Sequence, residues 1–192
     1  MEESRRAVSI RQLEEELQRE RCRTKRRKRR RIALVCLLVL LILLIVLGSG
    51  FSTVLRISGD AMAGTLRDGD IAVGLKSSHY RSGDVVVFRF NSGVLVKRLL
   101  AQSGDWVELD PAGWFFVNGA RLNEPYVTET SRGNCDVVFP LTIPEGSCFV
   151  AGDNRPVSID SRSSVVGCVE ESALVGKLLL RIWPLTRIGL IH

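Results

Sequence analysis

Histidine is nearly absent from this chain: there are two, His79 and His192. A Ser-His-Asp triad needs an imidazole between nucleophile and carboxylate, and both are poor candidates for such a base. No CxxC pair or Cys/His spacing suited to zinc occurs, so no zinc site is expected. Five cysteines are present, but Cys22 and Cys36 fall in or before the one long apolar run. That leaves Cys135, Cys148 and Cys168, an odd number. One disulfide with a free thiol and three free thiols are both open. Internal repeats are absent. A folded basic surface is absent too, despite a net charge of +6. Residues 1–31 hold 13 Lys and Arg against 6 Asp and Glu, whereas the rest holds 14 against 15. A nucleic-acid-binding domain carries its charge on the folded surface, so no nucleic-acid partner is expected.

What is there begins with "RIALVCLLVLLILLIVLGSGF". Ile32 to Leu47 is an unbroken apolar run of 16 residues. Residues 32–51 as a helix, at about 1.5 Å per residue, cover about 30 Å, the thickness of a bilayer's hydrocarbon core. Gly48 and Gly50 could mark a signal cleavage site, but 31 residues before the apolar run is long for a secretory signal. A permanent transmembrane helix is the expectation. Arg19 to Arg31 packs ten basic residues against its near end. The positive-inside rule then puts residues 1–31 in the cytoplasm and residues 52–192 outside. Attraction to anionic headgroups accounts for the basic cluster and makes the phospholipid membrane a partner. Within the tail, Ser9 to Glu20 has the stripe Ile10, Leu13, Leu17, with Ser9 and Gln12 as a capping box. A helix this short is marginal alone. A frayed tail and a surface-binding helix are both compatible with it.

Beyond the span the pattern turns to β. "DVVVFRF" and "VLVKRLL" are joined by Asn91-Ser92-Gly93, a hairpin signal. "DWVEL", "GWFFVNG", "SCFVAGD" and "ALVGKLLLRIW" follow, punctuated by turn residues. The expected fold is mainly β, a partly closed antiparallel barrel after the N-terminal helix. Residues 108–145, with polar and proline-rich loops around "WFFVNGARL", read as a small β insertion.

Two stretches carry chemistry. In "VLVKRLLA", strand alternation puts Lys97 on the face of Leu95, Leu99 and Ala101. Desolvation lowers a lysine's pKa from about 10.4 and makes it a candidate base. A strand lysine that snorkels to water is the alternative. "AGDNRPVSIDSRSS" follows an apolar strand. Its Asp153, Asn154, Ser158, Asp160 and Arg162 can form a buried network, with Asp160 and Arg162 as a charge-assisted pair. An ordinary surface loop of Asx turns is the alternative.

A third stretch is "SGDAMAGTL", Ser58 to Leu66. Together, "AMAGTL", "VKRLLAQSGDWVEL" and "GDNRPVSIDSR" resemble the boxes of bacterial type I signal peptidases, membrane-anchored Ser-Lys serine endopeptidases that remove signal peptides. The resemblance covers roughly Leu34 to His192 and continues in "VGKLLLRIW" and "RIGLIH". It implies that position 61 is where the family's nucleophilic serine stands and that Lys97 is its general base. Ser158 would orient Lys97, with Asp160 and Arg162 bracing that loop. The N–H of residue 61 would belong to the oxyanion hole. Met62 would line the small pocket for the residue before the scissile bond, and Gly59 stands where some relatives have a serine donor. The implied partners are pre-proteins with signal peptides.

Two departures stand out. Ala61 replaces the nucleophile, and Gly64 replaces the family's proline, loosening the loop. The chain as written is therefore expected to be inactive. A deliberate substitution fits the retained Lys97, Ser158, Asp160 and Arg162. The alternative is a natural pseudopeptidase that binds pre-proteins or pilin-type subunits during assembly. A self-cleaving regulator of the related Ser-Lys fold is disfavoured by the anchor and the outside topology.

Overall fold

The computed structural model describes residues 28, 31–32, 34–41, 44, 52–77 and 79–191. The chain divides into two compact units, Met1–Gly50 and Phe51–His192. In the first unit residues 34–41 are helical, and their described apolar side chains, Leu34 to Leu41, are exposed. Among the described residues no helix is long and apolar enough to cross a membrane. The expected span over 32–51 lies partly outside the described residues, as do the helix over 9–20, Cys22 and most of the basic tail.

The second unit is two antiparallel sheets. The larger has eight strands: β1 (Ser52–Arg56), β2 (Ile71–Leu75), β3 (Val85–Phe90), β4 (Gly93–Ala101), β9 (Ser147–Ala151), β10 (Val169–Glu170), β11 (Leu174–Trp183) and β12 (Gly189–Leu190). Their order is β1-β2-β11-β3-β4-β9-β10, with β12 on β11. The smaller has four: β5 (Trp106–Leu109), β6 (Phe115–Val117), β7 (Ala120–Arg121) and β8 (Leu141–Thr142), in the order β7-β6-β5-β8. The mainly antiparallel β class is as expected, and no barrel is closed among the described strands. β1 and β10 end the path of the large sheet, and no ladder among the described strands joins them. Sequence alternation reports which face of a strand is buried, not whether the sheet's two ends meet.

Local chemistry explains the hairpins. β3 and β4 pair Phe90 with Gly93 across Asn91 and Ser92, and Asn91 takes a φ of 51°. β6 and β7 are joined by Asn118 and Gly119, both at positive φ. Such left-handed pairs match the twist of the flanking strands. β4 departs from simple alternation. Its register against β9 shifts between Leu99 and Ala101, a bulge. Leu99 thus packs with Val86, Phe88 and Val150, whereas Ala101 packs with Phe115 and Phe149 in another cluster. Lys97 shares a face with Leu95 and Leu99 but not with Ala101, because a bulge adds one residue and reverses the facing beyond it.

Three apolar clusters hold the unit together. Ile57, Met62, Leu66 and Ala72 pack with Val85, Val87 and Leu178. A second forms between β3, β4, β9 and β11, and a third joins the two sheets around Phe115, Phe149 and Ile143. Cys135, Cys148 and Cys168 are free thiols. Burial pushes the Cys148 thiol up to about 12, which leaves it an inert core side chain.

Candidate active site

Lys97 sits in the second half of β4, where both sides of the strand are covered. It is 3% exposed. Its Nζ donates a 2.9 Å hydrogen bond to Ser158 Oγ, itself 1% exposed. Burial lowers the Lys97 pKa. Asp160 pulls it up, Arg162 pushes it down, and Asp153 pulls it up more weakly. Burial wins because both carboxylates are committed elsewhere. Asp160 takes Arg162 Nε at 2.8 Å and Nη2 at 2.9 Å, and accepts the Gly152 N–H at 2.9 Å. Burial opposes the Asp160 charge, but these partners outweigh it and hold the carboxyl below its usual value. Asp153 takes Arg98 Nε at 2.9 Å and Nη2 at 2.8 Å. The amine is thus left with a neutral hydroxyl for its partner. A buried amine whose pKa is lowered in this way is a stronger candidate for a general base than an exposed lysine.

The loop from Gly152 to Arg162 is built around these pairs. Arg162 is fully buried and reaches five carbonyl or carboxylate groups. Nη1 donates to Ser131 O and Arg132 O, and Nη2 to Arg155 O, Ser158 O and Asp160. Arg155 donates to Gly152 O at 3.0 Å and pairs with Glu124 from the second sheet's long loop. Gly152 is held by its N–H on Asp160 and its carbonyl on Arg155. A Cβ there would collide with the Ser158 side chain and with the Ala61 carbonyl. Only glycine lets the loop close on position 61. Asn154 completes the contact: its N–H donates to Ala61 O at 3.1 Å and its Nδ2 to Asp60 O at 3.0 Å.

Residues 58–65 form the turn that carries Ala61. Ala61 is half-buried at the wall of a cleft of about 780 Å³. Gly59, Asp60, Ala63, Lys97 and Asn154 line it too, with an apolar set of Phe90, Leu95, Val157, Ile159, Val165 and Val166. Met62 lies elsewhere. It is 2% exposed in the cluster beneath the turn and is not a lining residue of the cleft. Gly59 is a lining residue, with φ at 82° and its N–H bonded to Asp68 Oδ1. Gly64 is the largest departure from expectation. Its φ is 121°, and a Cβ would lie 2.8 Å from Tyr126 O. Proline, fixed near −65°, cannot take this conformation. The glycine is a requirement of this loop, not a loosened proline.

Sequence reading missed Arg98, Thr65, Tyr126, Glu124 and Arg155. Arg98 is the neighbour of Lys97 on the opposite face of β4. It is fully buried, stacks 3.7 Å over the Tyr126 ring and bonds Thr65 Oγ1, which itself bonds Asp153. A charged residue whose neighbours at alternating positions of the strand, Val96 and Leu100, are both apolar was the available signal. For Glu124, in a polar loop, there was none.

The site thus brings together a buried lysine amine on a serine hydroxyl, a glycine-flanked turn and a cleft with apolar walls. Residues 29–183 match the family described as signal peptidase, peptidase S26, and the chain belongs to that family. It is similar to signal peptidase IB of Staphylococcus aureus (strain COL), 33% identical over 159 residues covering 72% of this chain and 82% of the relative. Signal peptidase I of Bacillus licheniformis is 30% identical over 146 residues, covering 69% and 77%. A solved signal peptidase I from Enterococcus faecalis V583 aligns with a TM-score of 0.43 at 29% identity, covering 53% of this chain and 97% of that one.

Proposed function

We propose that this chain is a signal peptidase I, anchored by residues 32–51, that docks the cleavage region of signal peptides without cutting them. One observation carries the reading: the Lys97 amine, bonded to Ser158, lines the same apolar cleft as Ala61. With serine at position 61, Lys97 would take the hydroxyl proton as the oxygen attacks the scissile carbonyl. The N–H of residue 61 would face the developing oxyanion, and water would later release the acyl group. Ala61 has no hydroxyl to lose, so this sequence stops before its first step. Removing a serine nucleophile in a comparable hydrolase costs roughly 10⁶-fold in turnover. The basic cluster before the span supports a cytoplasmic N-terminus and an extracytoplasmic peptidase domain. Pre-proteins and the phospholipid membrane are the partners; no nucleic acid, metal or cofactor enters the reading.

A specific observation favours a second reading. Gly64 departs from the family's box independently of Ala61, and the loop is shaped to it. A natural pseudopeptidase that holds pre-proteins or pilin-type subunits would accumulate such changes. The deciding experiment is a pre-protein with an Ala-x-Ala site, presented in liposomes to the full chain and to Ala61→Ser. Saturable binding by both, with cleavage by the serine variant, supports the peptidase reading. Binding by both with no cleavage supports the binding factor. No saturable binding by either refutes both.

A further inference from the structure

The methyl group of Ala61 changes what the amine beside it can do. In a serine form the lysine's lone pair would be engaged by the neighbouring hydroxyl. Here the Lys97 amine has Ser158 Oγ as its partner and otherwise faces the cleft. The charges that act on it most strongly are Asp160, Arg162 and Asp153. Asp160 and Arg162 neutralise each other, and Asp153 is closed by Arg98. Neither of these carboxylates is left to hold an ammonium in place; Asp60, the other carboxylate lining the cleft, is exposed to solvent. The apolar part of the cleft wall is Phe90, Leu95, Val157, Ile159, Val165 and Val166, and Val157 is 60% exposed, so the cleft is open to solvent on that side.

We infer that Lys97 is a nucleophilic amine in its own right, and that the cleft forms Schiff bases with apolar aldehydes. The nitrogen lone pair attacks the carbonyl carbon; a C–N bond forms as the C=O π bond breaks. A proton passes from nitrogen to the new oxygen, with the Ser158 hydroxyl placed to relay it. Loss of water then gives the imine, so one aldehyde and one amine yield one imine and one water. An alkyl chain would lie along the apolar walls. Only a neutral amine attacks, and burial favours that form. This chemistry is separate from peptide binding, because an aldehyde such as hexanal carries no peptide group.

The test uses the full chain in detergent, hexanal, and sodium cyanoborohydride to reduce the imine to a stable secondary amine, at pH 7.5. Mass mapping then compares alkylation at Lys97 with that at exposed Lys76 and at Lys177, which is paired with Asp84. Neutral amine increases about tenfold for each unit by which titration is displaced. Lys97, whose burial favours the neutral amine, is expected to react faster than Lys76. It should also keep that rate to a lower pH. Glyoxylate, a charged aldehyde unsuited to the apolar walls, should lose most of this preference. Alkylation of Lys97 no faster than of Lys76 would overturn the proposal. Equal preference for glyoxylate would overturn the role of the cleft walls. Failure of signal-peptide binding would leave either result standing.

Discussion

Replacing Gly64 by proline restores the family's residue, and the structure gives that change the opposite sign from the one the family pattern suggests. A proline compatible with its site stabilises a protein by about 0.4–1 kcal/mol, by restricting the unfolded chain. At Gly64 the φ of 121° lies on the other side of the map from proline's fixed value of about −65°. The Tyr126 carbonyl, 2.8 Å from a Cβ at this position, blocks the side chain as well. The turn must rearrange. It then disturbs Thr65, which bonds both Asp153 and Arg98. Forced backbone conformations cost of order 1–3 kcal/mol each. At roughly 2–4 °C per kcal/mol for a domain of this size, the melting temperature should fall by roughly 2–12 °C. Gly64→Ala, which meets the same φ and the same carbonyl, should fall as well. Thermal unfolding of the full chain in detergent, followed by fluorescence of Trp106, Trp114 and Trp183, reads both variants. A higher midpoint for Gly64→Pro would refute the reasoning and mean that the loop takes the family's conformation.

Lys97→Met should raise stability near neutral pH and, in an Ala61→Ser background, abolish cleavage. The amine's folded pKa is depressed by burial. Its contribution is therefore fully present above the unfolded value of about 10.4 and is lost as pH falls through the folded value. The difference in urea midpoint between Lys97→Met and the parent should accordingly shrink as pH rises toward 10; a constant difference would contradict a buried, depressed lysine. Asp153→Ala leaves the buried Arg98 guanidinium without its carboxylate, and breaking such a pair costs about 3–5 kcal/mol. Chemical denaturation measures the loss, and a change under about 1 kcal/mol would mean that Arg98 reaches water. Protease added outside spheroplasts should digest the β unit and spare residues 1–31. Protection of the β unit would reverse the proposed orientation.

Most elements of the β unit were legible because their signals are local. Asn91 and Asn118 at positive φ, each between apolar runs, announce hairpins through the chemistry of two or three residues. Lys97 was legible as out of place among Leu95 and Leu99, since alternation along a strand needs no knowledge of its neighbours. Sheet closure was not legible. Whether β1 meets β10 depends on accumulated twist and on which strands lie between them. The facing of Ala101 was lost for a related reason, because the bulge exists only against β9.

By itself, then, the sequence determined the β class, the hairpins, the odd lysine and the family, all written in neighbouring residues or in short boxes. Tertiary structure alone decided how those pieces act. Arg98 meets Asp153 across 55 positions, and Arg155 meets Glu124 across 31. The first of these pairings closes Asp153, one of the two carboxylates that raise the Lys97 pKa, and the second ties the Gly152–Arg162 loop to the loop that carries Glu124. Tertiary structure also sent Met62 into the core and turned Gly64 through a φ that no proline can follow. A charge's partner and a glycine's necessity are set by what the rest of the chain brings against them, and composition does not carry that information.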